Sequence, residues 1–134
     1  MTLTRRYRFA ASHRLNAEAL SPEENARLYG KCNNPFGHGH DYVLDVTVTG
    51  AVDASGQIVN REALDALVEQ EVLARVGHRN LNCDVAELKG RVATTENLAT
   101  AVESMLAAKW TLPASLAGVR ISETARNTFE LRTK

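Results

Sequence analysis

The chain has 134 residues, 44% hydrophobic and 24% charged, with 16 Lys+Arg against 16 Asp+Glu. That is one ordinary domain, 1–134, long enough to bury roughly two-thirds of its unfolded surface without disulfide staples. Balanced charge excludes a field that would draw in nucleic acid or an anionic membrane, and no run of eighteen apolar residues is present to span a bilayer.

The N-terminus, Met1–Arg6, has no apolar h-region behind its arginines, so no signal peptide is expected. The two cysteines, Cys32 and Cys83, then read as reduced thiols of a cytoplasmic protein. Residues 3–13 alternate: Leu3, Tyr7, Phe9, Ala11 and His13 share one parity, Arg6, Arg8 and Ser12 the other. This predicts a half-buried strand. Residues 14–37 are polar, carry Pro22, Pro35, Gly30 and Gly37, and read as a long loop with a helical turn at 21–28; loops of this length are more often functional than incidental. Residues 38–49 alternate again, with His38, His40, Tyr42, Leu44, Val46 and Val48 on one face. A turn follows at Asp53–Gly56.

Asn60 is placed to cap a helix over about 61–75, whose apolar stripe is Leu64, Leu67, Val68 and Val72. Residues 77–93 look irregular. Thr94 or Thr95 caps a second helix with a Leu98, Ala101, Val102, Met105, Leu106 stripe, and Pro113 is its expected stop. Two short strands close the chain, one with Val119, Ile121 and Glu123 in parity and one with Phe129 and Leu131, joined near Arg126-Asn127. The order ββααββ predicts an α+β fold, an antiparallel four-stranded sheet with two helices on one face. Four strands cannot close a barrel, so the uncovered face and edges predict assembly with sister chains.

The four histidines are His13, His38, His40 and His78. Residues two apart on a strand point the same way, so His38-Gly39-His40 sets two imidazoles side by side with a small residue between them. If the first two strands pair antiparallel, His13 ends beside them. Three neutral nitrogens with an open fourth position describe a catalytic zinc site; the competing reading is three rim histidines with ordinary hydrogen bonds. Cys32 follows Lys31 in a polar loop six residues before His38. A neighbouring cation and a metal favour thiolate, suiting a base or nucleophile, against an inert small hydrophobe. Cys83 has no companion motif. Glu123 has inward parity yet is charged, so it either emerges at a strand end or meets a ligand. A carboxylate there can accept two parallel hydrogen bonds from an amidine-like edge such as a pterin or guanine ring. Thr94-Thr95-Glu96-Asn97 is explained by helix capping alone.

Taken together, Phe9–His13, the block Lys31-Cys32-Asn33-Asn34-Pro35-Phe36-Gly37-His38-Gly39-His40, His78–Asn82, Thr94–Asn97 and Ser122–Thr124 resemble the 6-pyruvoyl-tetrahydropterin synthase family, which includes the 6-carboxy-tetrahydropterin synthases of queuosine biosynthesis. The resemblance implies the tunnelling fold (T-fold), with three chains forming a barrel and two rings stacking into a homohexamer whose sites lie between subunits. It implies 7,8-dihydroneopterin triphosphate as substrate and a zinc-dependent lyase reaction. His13, His38 and His40 match the zinc ligands, Cys32 the catalytic base and His78 a second proton-transfer residue. Glu123 matches the carboxylate that anchors the pterin, and Thr94, Thr95 and Glu96 match positions lining its pocket.

One position departs from the family pattern. Gly77 stands where an aspartate usually precedes the matched histidine and orients it, so His78 would need another carboxylate, such as Asp84 or one from a neighbouring chain. The five residues between Cys32 and His38 favour the pyruvoyl-type enzyme over the carboxy-type. A side-chain-cleaving aldolase, a pterin- or purine-binding protein without turnover and a purely structural zinc protein are the further alternatives.

Overall fold

The computed structural model describes residues 1–133. Strand β1 (Thr2–His13) pairs antiparallel with β2 (His38–Thr49), β2 with β3 (Ser115–Ser122), and β3 with β4 (Thr128–Arg132), giving one sheet in the order β1-β2-β3-β4. The β1–β2 register runs unbroken from Thr2↔Thr49 to His13↔His38. The alternation read from the sequence is the alternation of burial: Phe9, Ala11, His13, Tyr42, Leu44, Val46 and Val48 are all buried on one face. A residue slip would turn every one of them outward, which is why the register is firm.

Helix α1 (Pro22–Tyr29) sits in the β1–β2 connection and starts at a capping box, the Ser21 hydroxyl accepting from Glu24 N–H and the Glu24 carboxylate accepting from Ser21 N–H. A short 3₁₀ turn, Gly30–Asn33, follows it. Helix α2 (Arg61–Val68), capped by Asn60, continues through a π-helical turn (Glu69–Leu73) into α3 (Ala74–Val76). Helix α4 (Thr95–Ala108) is capped by Thr94, whose hydroxyl accepts from Asn97 N–H. Leu64, Val68, Val72, Leu98, Val102, Met105 and Leu106 join the buried strand residues in one core, so the helices cover one face of the sheet as predicted.

Three expectations are refined. Helix α4 ends at Ala108, well short of Pro113, and Trp110 then donates its indole N–H to Ala114 O, pinning the turn into β3. Residues 77–93 are irregular but not idle. His78 N–H donates to Ala10 O at 2.6 Å, Ser12 N–H to Arg79 O at 3.0 Å and Leu81 N–H to Ser12 O at 2.8 Å, so this segment lies parallel along the far edge of β1. The sheet face away from the helices is polar rather than apolar. Arg6, Asp45, Arg120 and Glu130 stand in register across all four strands with alternating charge, and Arg6 grips Asp45 through two hydrogen bonds of 2.9 and 3.1 Å.

Candidate functional site: a histidine, thiol and carboxylate cluster

The site forms where the end of β1 meets the start of β2. Antiparallel pairing sets His13 directly against His38, and the two-residue period carries His40 onto the same face. Gly37 makes the entry into β2 tight: its φ is +83°, and a Cβ there would lie 3.0 Å from His13 O, so only glycine suits this turn. His13 is fully buried. Its Nδ1–H donates to Ala93 O at 2.9 Å, which fixes the tautomer and leaves the Nε2 lone pair for the site.

His13 Nε2 and His40 Nε2 lie 3.0 Å apart. Glu123, just beyond β3, places Oε1 3.1 Å from His40 Nε2 and 3.5 Å from His13 Nε2. Its N–H donates to Asn127 O, so the β3–β4 turn holds its backbone. Cys32 Sγ stands 3.9 Å from His40 Nε2. The thiol is delivered by the 3₁₀ turn after α1, which is tied to the end of β1 twice: Leu15 N–H donates to Cys32 O, and the Asn33 amide donates to Leu15 O. One donor atom from each of His13, Cys32, His40 and Glu123 lies within 4.8 Å of the others, a group able to hold a metal ion. His38 packs its ring edge-on against His40, centroids 4.6 Å apart, and contributes no atom to that group.

Burial, the largest influence, lowers the pKa of both His13 and His40, with Glu123 pulling the other way. Both imidazoles are thereby kept in the neutral form that binds cations. Burial and Glu123 raise the Cys32 pKa, and Lys31 lowers it. The sequence-based expectation that Lys31 promotes thiolate therefore has the right sign, but the protein's own groups outweigh it, and further positive charge is needed to ionise the sulfur.

The other expected residues fall around this cluster. Thr94 spends its hydroxyl on the helix cap, and Glu96 is exposed in the first turn of α4. Thr95 is 3% exposed and its hydroxyl has no hydrogen-bond partner among the described residues. His78 is exposed, with a φ of +57° unusual for a residue with a side chain. It lines a cavity of about 630 Å³ with Ser12, Gly39, Asp41 and Asp84. Asp84 accepts from Asn80 N–H at 2.9 Å, and among the described residues no carboxylate is within 4 Å of the His78 ring nitrogens. The sequence reading missed the Ala93 carbonyl, which no side-chain pattern signals. It also missed the Asn82 clamp on Arg14, made through both backbone groups, although asparagine in a loop is a cue for such clamps.

The family model described as 6-pyruvoyl tetrahydropterin synthase matches residues 2–134. The chain belongs to this family. The family's 6-pyruvoyl tetrahydrobiopterin synthase from Poecilia reticulata is 44% identical over 93% of this chain and 85% of that protein. The Drosophila melanogaster protein of the same name is 39% identical over 97% and 78%. The solved structure of Caenorhabditis elegans 6-pyruvoyl tetrahydropterin synthase superposes with a TM-score of 0.92 at 39% identity, covering 100% of this chain and 96% of that one. At 14% identity and a TM-score of 0.63, the Plasmodium falciparum enzyme shares the fold. Gly77, which the resemblance contrasts with an aspartate, is in tight quarters. A Cβ at position 77 would lie 2.7 Å from Leu73 O, so any side chain there must displace backbone.

Proposed function

We propose that this chain is a zinc-dependent lyase that converts 7,8-dihydroneopterin triphosphate to 6-pyruvoyl-tetrahydropterin with loss of triphosphate. The observation that carries the reading is the meeting of Cys32 with two neutral imidazoles and a carboxylate, in a chain whose relatives bear that activity in their names. His13, His38 and His40 are assigned as the zinc ligands. The fit is chemical: imidazoles gathered on one face by cross-strand pairing and the two-residue period, one of them with its tautomer fixed, are what zinc takes. A bound zinc ion would supply Lewis-acid polarisation of the substrate's side-chain hydroxyls.

Cys32 takes a proton from the side-chain carbon, and His78 returns or relays one. Glu123 holds the pterin ring by paired hydrogen bonds, and orientation of this kind supplies much of a barrier reduction. Thr94, Thr95 and Glu96 line the ring pocket; the buried, unpartnered Thr95 hydroxyl supports a ligand there, since such a group otherwise costs free energy. The exposure of His78 suits a homohexamer, a dimer of trimers with residues 1–134 as its unit, in which a neighbour completes each site. The setting is the cytoplasm.

The test is incubation of the pure protein with 7,8-dihydroneopterin triphosphate and mass spectrometry of the product. The pyruvoyl product and free triphosphate are expected; a carboxy-type product would move the chain to the queuosine branch. Gly77 favours one second reading, pterin binding without turnover. In that case pterin binds but no product forms, with or without Cys32→Ala.

A further inference from the structure

We propose that Asn97 is a positioning residue for the metal centre: it holds the turn whose carbonyl keeps His13 protonated at Nδ1, leaving Nε2 bare for the ion. The inference rests on the reading of His13 as a zinc ligand and adds to it a residue outside the donor cluster.

The ring comes first. His13 is fully buried, so its protein neighbours, not bulk water, settle which nitrogen carries the proton. Two groups lie against Nδ1, Ala93 O at 2.9 Å and Tyr42 Oη at 3.4 Å. They do not ask for the same tautomer. A carbonyl only accepts, so it demands Nδ1–H. A phenol hydroxyl both donates and accepts, so it tolerates a bare Nδ1 as well. The nearer, acceptor-only group therefore decides. A shift of the Ala93 carbonyl away from the ring hands the choice to Tyr42. With Tyr42 donating to Nδ1 the proton resides on Nε2, and the ring presents N–H where a metal needs a lone pair.

The aim of that carbonyl is a property of the turn before α4. Ala93 is itself buried, and Asn97 takes hold on both sides of it. The Asn97 side-chain amide donates to Val92 O at 2.7 Å, and its backbone N–H donates to the Thr94 hydroxyl at 3.2 Å. One bond fixes the peptide that enters Ala93, the other the residue that follows it. Ala93 O is thereby held at the angle that meets the imidazole.

Helix capping does not account for the side-chain bond. Asn97 is the third residue of α4, the place where a capping box puts Glu or Gln to reach back to the N-cap backbone N–H. Helix α1 does this with Ser21 and Glu24. In α4 the amide instead passes the cap residue and ends on Val92 O, outside the helix. Aspartate at this position would serve the helix dipole better, but a carboxylate has no proton to give a carbonyl.

That contrast supplies the test. Asn97→Asp keeps the side-chain shape and favours the α4 N-terminus, yet sets a carboxylate against Val92 O. The tautomer is read in metal-free protein by two-bond proton–nitrogen correlation NMR at about pH 8, above the ordinary imidazole pKa. The His13 ring is expected as Nδ1–H in the parent and with a substantial Nε2–H population in Asn97→Asp. Zinc affinity, from competition with a chromophoric chelator, is expected to fall on the order of tenfold. If Asn97→Asp does not fold, Asn97→Ala carries the same expectations. Thr100→Gly is the control: it is exposed in the same helix, weakens that helix, and leaves the bonds around Ala93 in place. It is expected to lower the unfolding midpoint without changing the tautomer or the zinc affinity. A parent ring already in the Nε2–H form, an Asn97 variant with parental tautomer and zinc affinity, or a Thr100→Gly protein whose tautomer shifts as far would each overturn the proposal. The NMR measurement needs no metal, so the two readings fail separately. A shifted tautomer in a chain that neither binds zinc nor forms product would remove the lyase reading alone. Product formation with no tautomer change in the Asn97 variants would remove the role of Asn97 alone.

Discussion

Placing an aspartate at position 77 should harm this chain rather than improve it. Gly77 has φ −64° and ψ 131°, angles any residue adopts, so dihedral preference is not the obstacle. The obstacle is contact: an added Cβ would lie 2.7 Å from Leu73 O, where ordinary van der Waals contact begins at 3.4 Å. That carbonyl belongs to the helix backbone and also accepts Gly77 N–H at 2.8 Å. Relief must therefore move backbone and stretch a hydrogen bond. Overpacking of this kind and the weakened bond together cost about 2–4 kcal/mol, which for a chain of this length is a fall of roughly 10 °C in the unfolding midpoint. Gly77→Ala is the sharper probe. If the position were open, alanine would stabilise by about 0.4–1 kcal/mol through the unfolded chain; if the contact governs, alanine destabilises. Thermal and urea unfolding at one fixed protomer concentration measure both. An alanine variant as stable as the parent, or more so, would refute the reasoning.

Thr95→Val removes a buried hydroxyl that no group among the described residues satisfies. Stability should rise by about 1 kcal/mol in urea titration, while affinity for 7,8-dihydroneopterin, measured by calorimetry, should fall. Asp65 accepts two hydrogen bonds from Arg5 and one from Tyr7, and the Arg5 bonds, first among the causes, lower its pKa from 3.8. A lowered carboxylate pKa stabilises above the unfolded value and is lost as the pH falls through the folded one. Asp65→Ala should therefore cost about 1 kcal/mol near neutrality, the half-exposed setting limiting the effect. In chemical denaturation at a series of pH values the gap between variant and parent should narrow below pH 3.8. His13→Ala should lower metal affinity about 100-fold or more, seen as substoichiometric zinc after dialysis against a chelator. Cys32→Ala should abolish product formation while leaving the fold, followed by circular dichroism, intact.

Strands β1 and β2 were legible because each buries one face, so that period-two alternation carries over twelve residues. The caps at Ser21, Asn60 and Thr94 were legible because capping is local chemistry. His13 and His40 could be brought together from parity alone, since antiparallel pairing converts sequence positions into neighbours. The inclusion of Glu123 in the donor cluster could not be read, because it depends on the β3–β4 turn rather than on strand parity. Nor could the side chain of His38, whose backbone position is set by register while its ring orientation is set by packing against His40. The bond from His13 to Ala93 joins positions 80 residues apart in sequence, and a backbone acceptor leaves no residue-type signature to search for.

The row Arg6, Asp45, Arg120 and Glu130 limits what can lie over the open side of the sheet. An oily partner laid there would strand four ions away from solvent, and the transfer cost would exceed anything such contact returns. Were copies of the chain to close round this face, they would enclose a hydrated bore, not a second greasy interior. Cohesion between such copies would then have to come from strand edges and rims.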